Sequence, residues 1–256
     1  MPDEVICETL EAVGVVRINR PEALNALNLA LLDQIVAALE RYDADANVRC
    51  MLLAGSERAF SSGHDLAELA AMPPIDVYRN NFLARWERLR ATRKPVVAAV
   101  SGYAISAGCE LMLTADIVIA SETARVGLPE TGVGSIPGAG GTQRLTRVAG
   151  KALAMDMILT GRTLSADEAL AAGLVSRVVP RENYFSEALY VCRELSKRAP
   201  LALQMAKRAV LSAYESTLAA GLAHEHDLFQ IVCSTADHRE GLRAFLEKRP
   251  SIFVGR

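Results

Sequence analysis

The order of apolar and polar positions predicts strands and helices in alternation through the first part of the chain. Val13-Gly14-Val15-Val16-Arg17-Ile18 is β-branched and apolar and stops at Arg20-Pro21, as a strand does. Asn28 is placed to cap a helix that carries Leu31, Ile35, Leu39 and Tyr42 on one stripe. Cys50-Met51-Leu52-Leu53-Ala54 reads as a short buried strand, and Ser61-Ser62-Gly63-His64 as a loop opening onto a helix from Asp65. Pro73-Pro74 marks an exposed break before an Arg-rich helical stretch over 78–93. A strand at Val96-Val97-Ala98-Ala99-Val100 then runs into Ser101-Gly102 and a small-residue turn. A helix over 107–113 and a strand at Ile117-Val118-Ile119-Ala120 follow. This alternation predicts an α/β chain with right-handed crossovers.

The pattern changes further on. Helices are predicted over 151–159, 165–171, 182–198, 201–214, 216–233 and 235–247, with Gly161, Gly173 and Pro200 as punctuation and one strand over 175–179. A boundary near Ala199-Pro200 divides the chain into a core, 1–199, and a helical tail, 200–256. The tail is too short for a robust core of its own, so its apolar stripes, such as Leu201, Met205 and Val210, must pack on something. No internal period stands out.

Composition narrows the function classes. The 256 residues are 51% hydrophobic and 23% charged with a net charge of -2, which gives no push toward nucleic acid or an anionic membrane surface. Five scattered cysteines without a CxxC predict neither a disulfide framework nor a zinc site, and reduced thiols in a cytoplasmic setting fit best. The acidic opening Met1-Pro2-Asp3-Glu4 lacks the features of a signal peptide, and no apolar run is long enough to span a bilayer.

Candidate chemistry is sparse. The run Gly132 to Gly141 fails the dinucleotide fingerprint, because Pro137 stands where the third glycine belongs and no strand precedes it, so a close-packed turn is the simpler reading. His224 and His226 lie two apart on a predicted helix, a poor metal geometry, and no GxSxG elbow supports a serine nucleophile. Glu110, in the first turn of a helix, and Glu130, in a loop flanked by apolar residues, are the carboxylates of interest. Each read alone is ordinary: a dipole complement and a solvated charge. The segments 59–66 and 101–110 are loops of small residues opening onto helices, each with unsatisfied N–H groups at its start. Two such donors meeting at one point make an oxyanion hole.

Several ordered motifs together resemble the enoyl-CoA hydratase/isomerase (crotonase) superfamily over essentially the whole chain. They are Asn19-Arg20-Pro21 with Ala23-Leu24-Asn25-Ala26-Leu27, Ala59-Phe60-Ser61-Ser62-Gly63-His64-Asp65-Leu66, Lys94-Pro95-Val96 and the 102–110 block. Ala115-Asp116-Ile117, Pro129-Glu130, Ile136-Pro137-Gly138-Ala139-Gly140-Gly141-Thr142-Gln143-Arg144-Leu145, Thr160-Gly161 and Ala171-Ala172-Gly173-Leu174-Val175 complete the set.

The resemblance implies a crotonase-like spiral of strand–strand–helix units with a C-terminal helical trimerisation region, assembling as a homotrimer or dimer of trimers. It implies an acyl-CoA thioester substrate and no separate cofactor or metal, since coenzyme A is part of the substrate. It implies that the backbone N–H groups of His64 and Ala107 hold the thioester oxygen, and that Glu110 and Glu130 flank the reacting carbons. Substrate contacts are expected at Ala23, Ala26, Asp65, Leu66, Ala67 and Gly108, with Phe245 and Lys248 reaching a neighbouring subunit's coenzyme A. Two glutamates together favour hydration over double-bond isomerisation or another lyase reaction. The pattern departs from the family at Ser106-Ala107-Gly108, where glycines are common, and at Glu22 and Ala67, where lysines often meet the phosphates. Arg58, Lys94 or a residue from elsewhere is left to take that role. Two remoter readings are an RNA-binding protein, built on Arg79, Arg85, Trp86, Arg88, Arg90, Arg93 and Lys94, and a catalytically silent assembly subunit.

Overall fold

The computed structural model describes residues 3–79 and 82–256. In chain order the elements are β1 (Val5–Leu10), β2 (Val13–Ile18), α1 (Leu29–Ala44), β3 (Cys50–Ala54), β4 (Ala59–Ser61), α2 (Leu66–Ala71), α3 (Pro74–Arg79) and α4 (Phe82–Arg90). There follow β5 (Val96–Val100), β6 (Tyr103–Ile105), α5 (Ala107–Met112), β7 (Ile117–Ser121), β8 (Arg125–Gly127), α6 (Gly141–Thr160), β9 (Thr163–Ser165), α7 (Ala166–Ala171) and β10 (Arg177–Val179). Four helices end the chain: α8 (Tyr184–Ser196), α9 (Pro200–Ser212), α10 (Leu218–Cys233) and α11 (Ala236–Leu246).

The larger sheet has six strands in the order β1-β2-β3-β5-β7-β10, antiparallel only at β1/β2. Its central strands are continuous apolar runs because both faces are covered, as parallel sheets require. Met51 and Leu53 point into the main core with α1, α4 and α5, while Cys50, Leu52 and Ala54 point to the opposite face under α8. The predicted stripe of α1 faces that main core, and Asn28 caps the helix by accepting from the Leu31 N–H at 2.7 Å.

The second sheet was not legible in the pattern. It has the order β4-β6-β8-β9, with β4, β6 and β8 parallel and β9 antiparallel to β8. Each of its strands is three residues long. That is too short for a period-two signal, so β4 reads as a loop and β6 as a turn. β9 adds a strand to a half of the chain where only one was expected. The helix expected over 151–159 is the second half of α6, whose first half begins at Gly141 and is separated from it by a non-helical Gly150.

The Arg-rich stretch is a packing device. Arg85 binds Asp33 through two bonds of 2.8 and 2.9 Å, Arg88 binds Glu40, and Arg93 binds Asp43 at 2.9 Å, so these cations are matched by carboxylates of α1. Trp86 is 1% exposed and belongs to the main core rather than to a nucleic-acid surface. Lys94 is also committed: its Nζ donates to the carbonyls of Tyr42 and Asp45, and it is buried, which removes it as a phosphate contact.

Beyond residue 199, α9 is tied to the sheet by Lys207, whose Nζ lies 2.8 Å from Asp116 and donates to the Lys94 carbonyl. The buried Asp237 accepts from the N–H groups of Val254 and Gly255, folding the C-terminal segment back onto α11. Among the described residues, no helix is long and apolar enough to cross a membrane.

Gly102 fixes the approach of β4 to β6. It has φ +61°, and a Cβ there would lie 1.9 Å from the Arg58 carbonyl oxygen. Gly102→Ala is expected to destabilise the protein by roughly 3 kcal/mol or more, since strain and a backbone clash add. The denaturant midpoint measures it.

Candidate active site

The C-terminal ends of three adjacent parallel strands carry the residues singled out in the sequence. β4 leads to His64, β6 to Ala107 and Glu110, and β8 to Glu130. The crevice beyond the carboxyl ends of parallel strands is where open α/β sheets present their ligand sites. The strands themselves are distant in sequence, so the second sheet is what joins the motifs.

The two small-residue loops are in direct contact. A Cβ on Gly63 would lie 2.6 Å from the Ser106 Cβ, and one on Gly108 would lie 2.3 Å from the Ser61 carbonyl oxygen. Only glycine allows these approaches, and they bring the backbone at His64 beside the backbone at Ala107. Ala107 opens α5, where helix geometry leaves its N–H without an intrahelical acceptor. Ser106 precedes it at φ 54°, ψ -129°, a conformation that favours glycine and costs a non-glycine residue on the order of 1–3 kcal/mol. Its side chain does not cap the helix.

Glu110 is wholly buried. Its Oε1 accepts from the N–H groups of Ala139, at 2.7 Å, and Gly141, at 2.8 Å, while its buried Oε2 bonds to nothing among the described residues. Burial pushes its pKa up to about 7, opposed by the two amides; Glu130 adds to the rise, and Arg144 opposes it. Glu130 opens a 3-10 turn, Glu130–Val133, and is 7% exposed. Neither of its carboxyl oxygens has a well-aligned partner among the described residues. Burial raises its pKa as well, with its own amide and the nearby Ser106 hydroxyl opposing. Burial thus raises the pKa of both carboxyl groups, and the charge of Glu130 adds to the rise at Glu110.

The His64 imidazole does not titrate near neutrality, as an unperturbed histidine would. Burial lowers its pKa to about 4, so it is uncharged at pH 7. The Asp65 carboxylate is fully engaged, accepting from the Ala67 and Glu68 N–H groups at the start of α2 and pairing with Arg20 at 2.7 Å. Leu66 and Ala67 are exposed on α2 beside it, and Arg20 also donates to the Ala26 carbonyl, which brings the 23–26 turn to the same edge. Asn25 locks that turn to β4 through the Ala59 and Phe60 carbonyls. Phe245 and Lys248 are not part of this constellation. They lie at the exposed end of α11, which packs on α10, and Phe245 is 83% exposed. Among the described residues, no group of three or more His, Cys, Asp or Glu side chains is placed to hold a metal ion.

The amides of Ala139 and Gly141 and the guanidinium of Arg144 are the site members that the candidate residues missed. Their signal was the glycine density of 138–141 without a nucleotide-binding context. Here the glycines let backbone approach a carboxylate rather than a phosphate: a Cβ on Gly141 would lie 2.9 Å from Glu110 Oε1.

The chain belongs to the enoyl-CoA hydratase/isomerase family, whose model matches residues 8–256. It is 48% identical over 254 residues to a protein of Rhizobium meliloti (strain 1021) named "Probable enoyl-CoA hydratase", covering 99% of both. It is 45% identical over 253 residues to the "2,3-dehydroadipyl-CoA hydratase" of Escherichia coli (strain K12), again covering 99% of both. A crystal structure of an enoyl-CoA hydratase subunit from Geobacillus kaustophilus HTA426 superposes with a TM-score of 0.96 at 39% identity, covering 99% of each chain. The mixed α/β fold is that of these proteins.

The raised pKa of Glu110 has a signed consequence for stability. The folded protein keeps a proton that the unfolded chain releases between pH 4.5 and about 7, so this group costs stability as pH rises through that window. Glu110→Gln removes the cost. The stability of Glu110→Gln relative to wild type is expected to rise from pH 5 to pH 8, toward a limit of about 3 kcal/mol, and its melting temperature with it. Calorimetry across that range checks it; a gap that is constant or shrinks contradicts the assignment.

Proposed function

We propose that the chain is an enoyl-CoA hydratase that adds water across the 2,3 double bond of an enoyl-CoA thioester to give a 3-hydroxyacyl-CoA. What supports this reading is that β4, β6 and β8 pair side by side and lead to His64, to Ala107 and Glu110, and to Glu130, with Glu130 close enough to add to the raised pKa of Glu110. Attack of water at Cβ builds negative charge on the thioester oxygen, which the His64 and Ala107 N–H groups receive. Each such donor is typically worth ~3 kcal/mol. Glu110 takes the proton from the attacking water and Glu130 delivers one to Cα, so the pair holds one proton before and after the addition. Two amides and the nearby Arg144 favour the carboxylate form of Glu110, the form that a base needs. Burial opposes that form, which ties turnover to pH and weakens it below about 7.

No separate cofactor is required, because coenzyme A arrives with the substrate. The chemistry asks for no third proton carrier, and the half-buried, uncharged His64 contributes through its backbone. The absence of a membrane-crossing helix among the described residues is compatible with a cytoplasmic enzyme.

Glu110→Gln and Glu130→Gln are each expected to lower kcat at least ~100-fold, with little change in CoA-thioester binding. The double variant should lose far less than the product of the single losses. His64→Ala, which keeps its N–H, should stay within ~10-fold of wild type, well short of the loss of an oxyanion donor. The assay is loss of the conjugated enoyl absorbance across thioesters of graded length, with product analysis. Near-wild-type turnover in either glutamine variant overturns the two-carboxylate reading, and a shifted double bond in place of a 3-hydroxyacyl product makes the chain an isomerase.

The spiral architecture and an assembly through residues 200–256 belong to the same proposal. Leu218, Phe245 and Leu246 are 80%, 83% and 81% exposed, and Ile252 and Val254 are exposed as well. Such a surface on one chain calls for a partner, and a closed trimer or dimer of trimers covers it symmetrically. In that assembly Phe245 and Lys248 reach the coenzyme A of a neighbouring subunit. Light scattering at micromolar concentration is expected to report a trimer or hexamer; a stable monomer contradicts it.

A further inference from the structure

The acceptor geometry of Glu110 depends on an irregular segment, and that segment is tethered by one cation. Gly140 adopts φ +103°, and a Cβ there would lie 2.2 Å from the Arg144 Nη1, so both the backbone and the guanidinium require glycine. Arg144 Nη1 donates to the Ala139 carbonyl at 2.8 Å. The N–H of the same Ala139 donates to Glu110 Oε1 at 2.7 Å, and the Gly141 N–H donates to that oxygen at 2.8 Å. The Arg144 N–H closes the first turn of α6 onto the Gly140 carbonyl at 2.8 Å, so backbone and side chain of one residue brace the turn.

We propose that Arg144 is a positioning residue for the reaction: by tethering the Ala139 carbonyl across the first turn of α6, it holds the Ala139 and Gly141 amides on Glu110. Its effect on the base has two parts of the same sign. The tether keeps two donors on the carboxylate, and the positive charge of Arg144 favours the ionised form. Other groups facing Glu110 do not duplicate this. Glu130, after β8, pushes the pKa of Glu110 upward; Cys109, on α5, has its own pKa raised by burial; His64, after β4, is uncharged above about pH 4. Arg90 of α4 faces Arg144 and acts on it rather than on the carboxylate.

This inference rests on Glu110 as the base, and its test reads the carboxyl directly. Carbon-13 NMR of glutamate-labelled protein, with the Glu110 signal identified by its loss in Glu110→Gln, gives the titration midpoint without reference to turnover. Arg144→Met is expected to raise that midpoint by about one pH unit, and Arg144→Lys by less than half as much. The acid limb of kcat should move with it: about a tenfold loss at pH 6, a small loss at pH 8.5, and KM nearly constant. If Arg144→Met does not stay folded, Arg144→Gln takes its place: it too removes the charge and is too short to keep the tether, and an upward shift is again expected. An unmoved midpoint in a folded variant overturns the proposal, as does a loss of turnover by one factor at every pH. A midpoint that moves in both Arg144→Met and Arg144→Lys while the acid limb stays still upholds the tether, since lysine keeps the charge, and refutes Glu110 as the base.

Discussion

The constraint on which the site depends is the burial of the Glu110 carboxylate with, among the described residues, two backbone amides on it. A carboxyl group removed from water resists ionisation, and hydrogen bonds to the charged form are what the protein can set against that. Much nearby sequence follows from delivering those bonds. Ala139 and Gly141 must bring their N–H groups to within 2.8 Å of one oxygen, so the chain before α6 consists of small residues with Gly140 at positive φ. α5 must also lie close to β4, which Gly108 permits by leaving no Cβ to meet the Ser61 carbonyl. A rigid carboxyl at the edge between its two protonation states suits proton transfer near neutral pH.

The two sheets divide the labour. The large sheet, apolar on both faces, supplies most of the core and fixes the path of the chain. The small sheet contributes little area, but its parallel strands align three loop ends so that residues from separate motifs meet. Strain collects there. Ser106 sits in a conformation suited to glycine, and Gly63 and Gly102 take positive φ, all within the contact between β4 and β6. Backbone held this way is positioned before any substrate arrives, which is what a pair of fixed N–H donors needs.

Charged residues around this frame are mostly engaged in holding it. Lys94 secures the end of α1, Lys207 and Asp116 secure α9, and Arg85, Arg88 and Arg93 fasten the 85–93 segment to α1. The apolar residues left exposed are concentrated after residue 199, where the helices pack on one another more than on the sheet. The same chain thus pairs a well-packed sheet core with a more exposed apolar surface after residue 199.

The sequence by itself determined the long elements and the family. The six-residue strand β2 is legible as a continuous β-branched apolar run, the sixteen-residue helix α1 by its helical stripe, and the Asn28 cap needs only local geometry. The identities of Glu110 and Glu130 were legible through the motifs around them. Tertiary structure decided the rest, because the quantities involved are not local. Three-residue strands have no period to read, so the second sheet exists only through its pairing. A glycine run is ambiguous until the atom it approaches is known, which is why 138–141 reads as a turn in sequence and as the amide support of Glu110 in space. The pKa values of His64 and Glu110 depend on burial by segments remote in the chain. Desolvation is a property of the whole fold, and no stretch of sequence contains it.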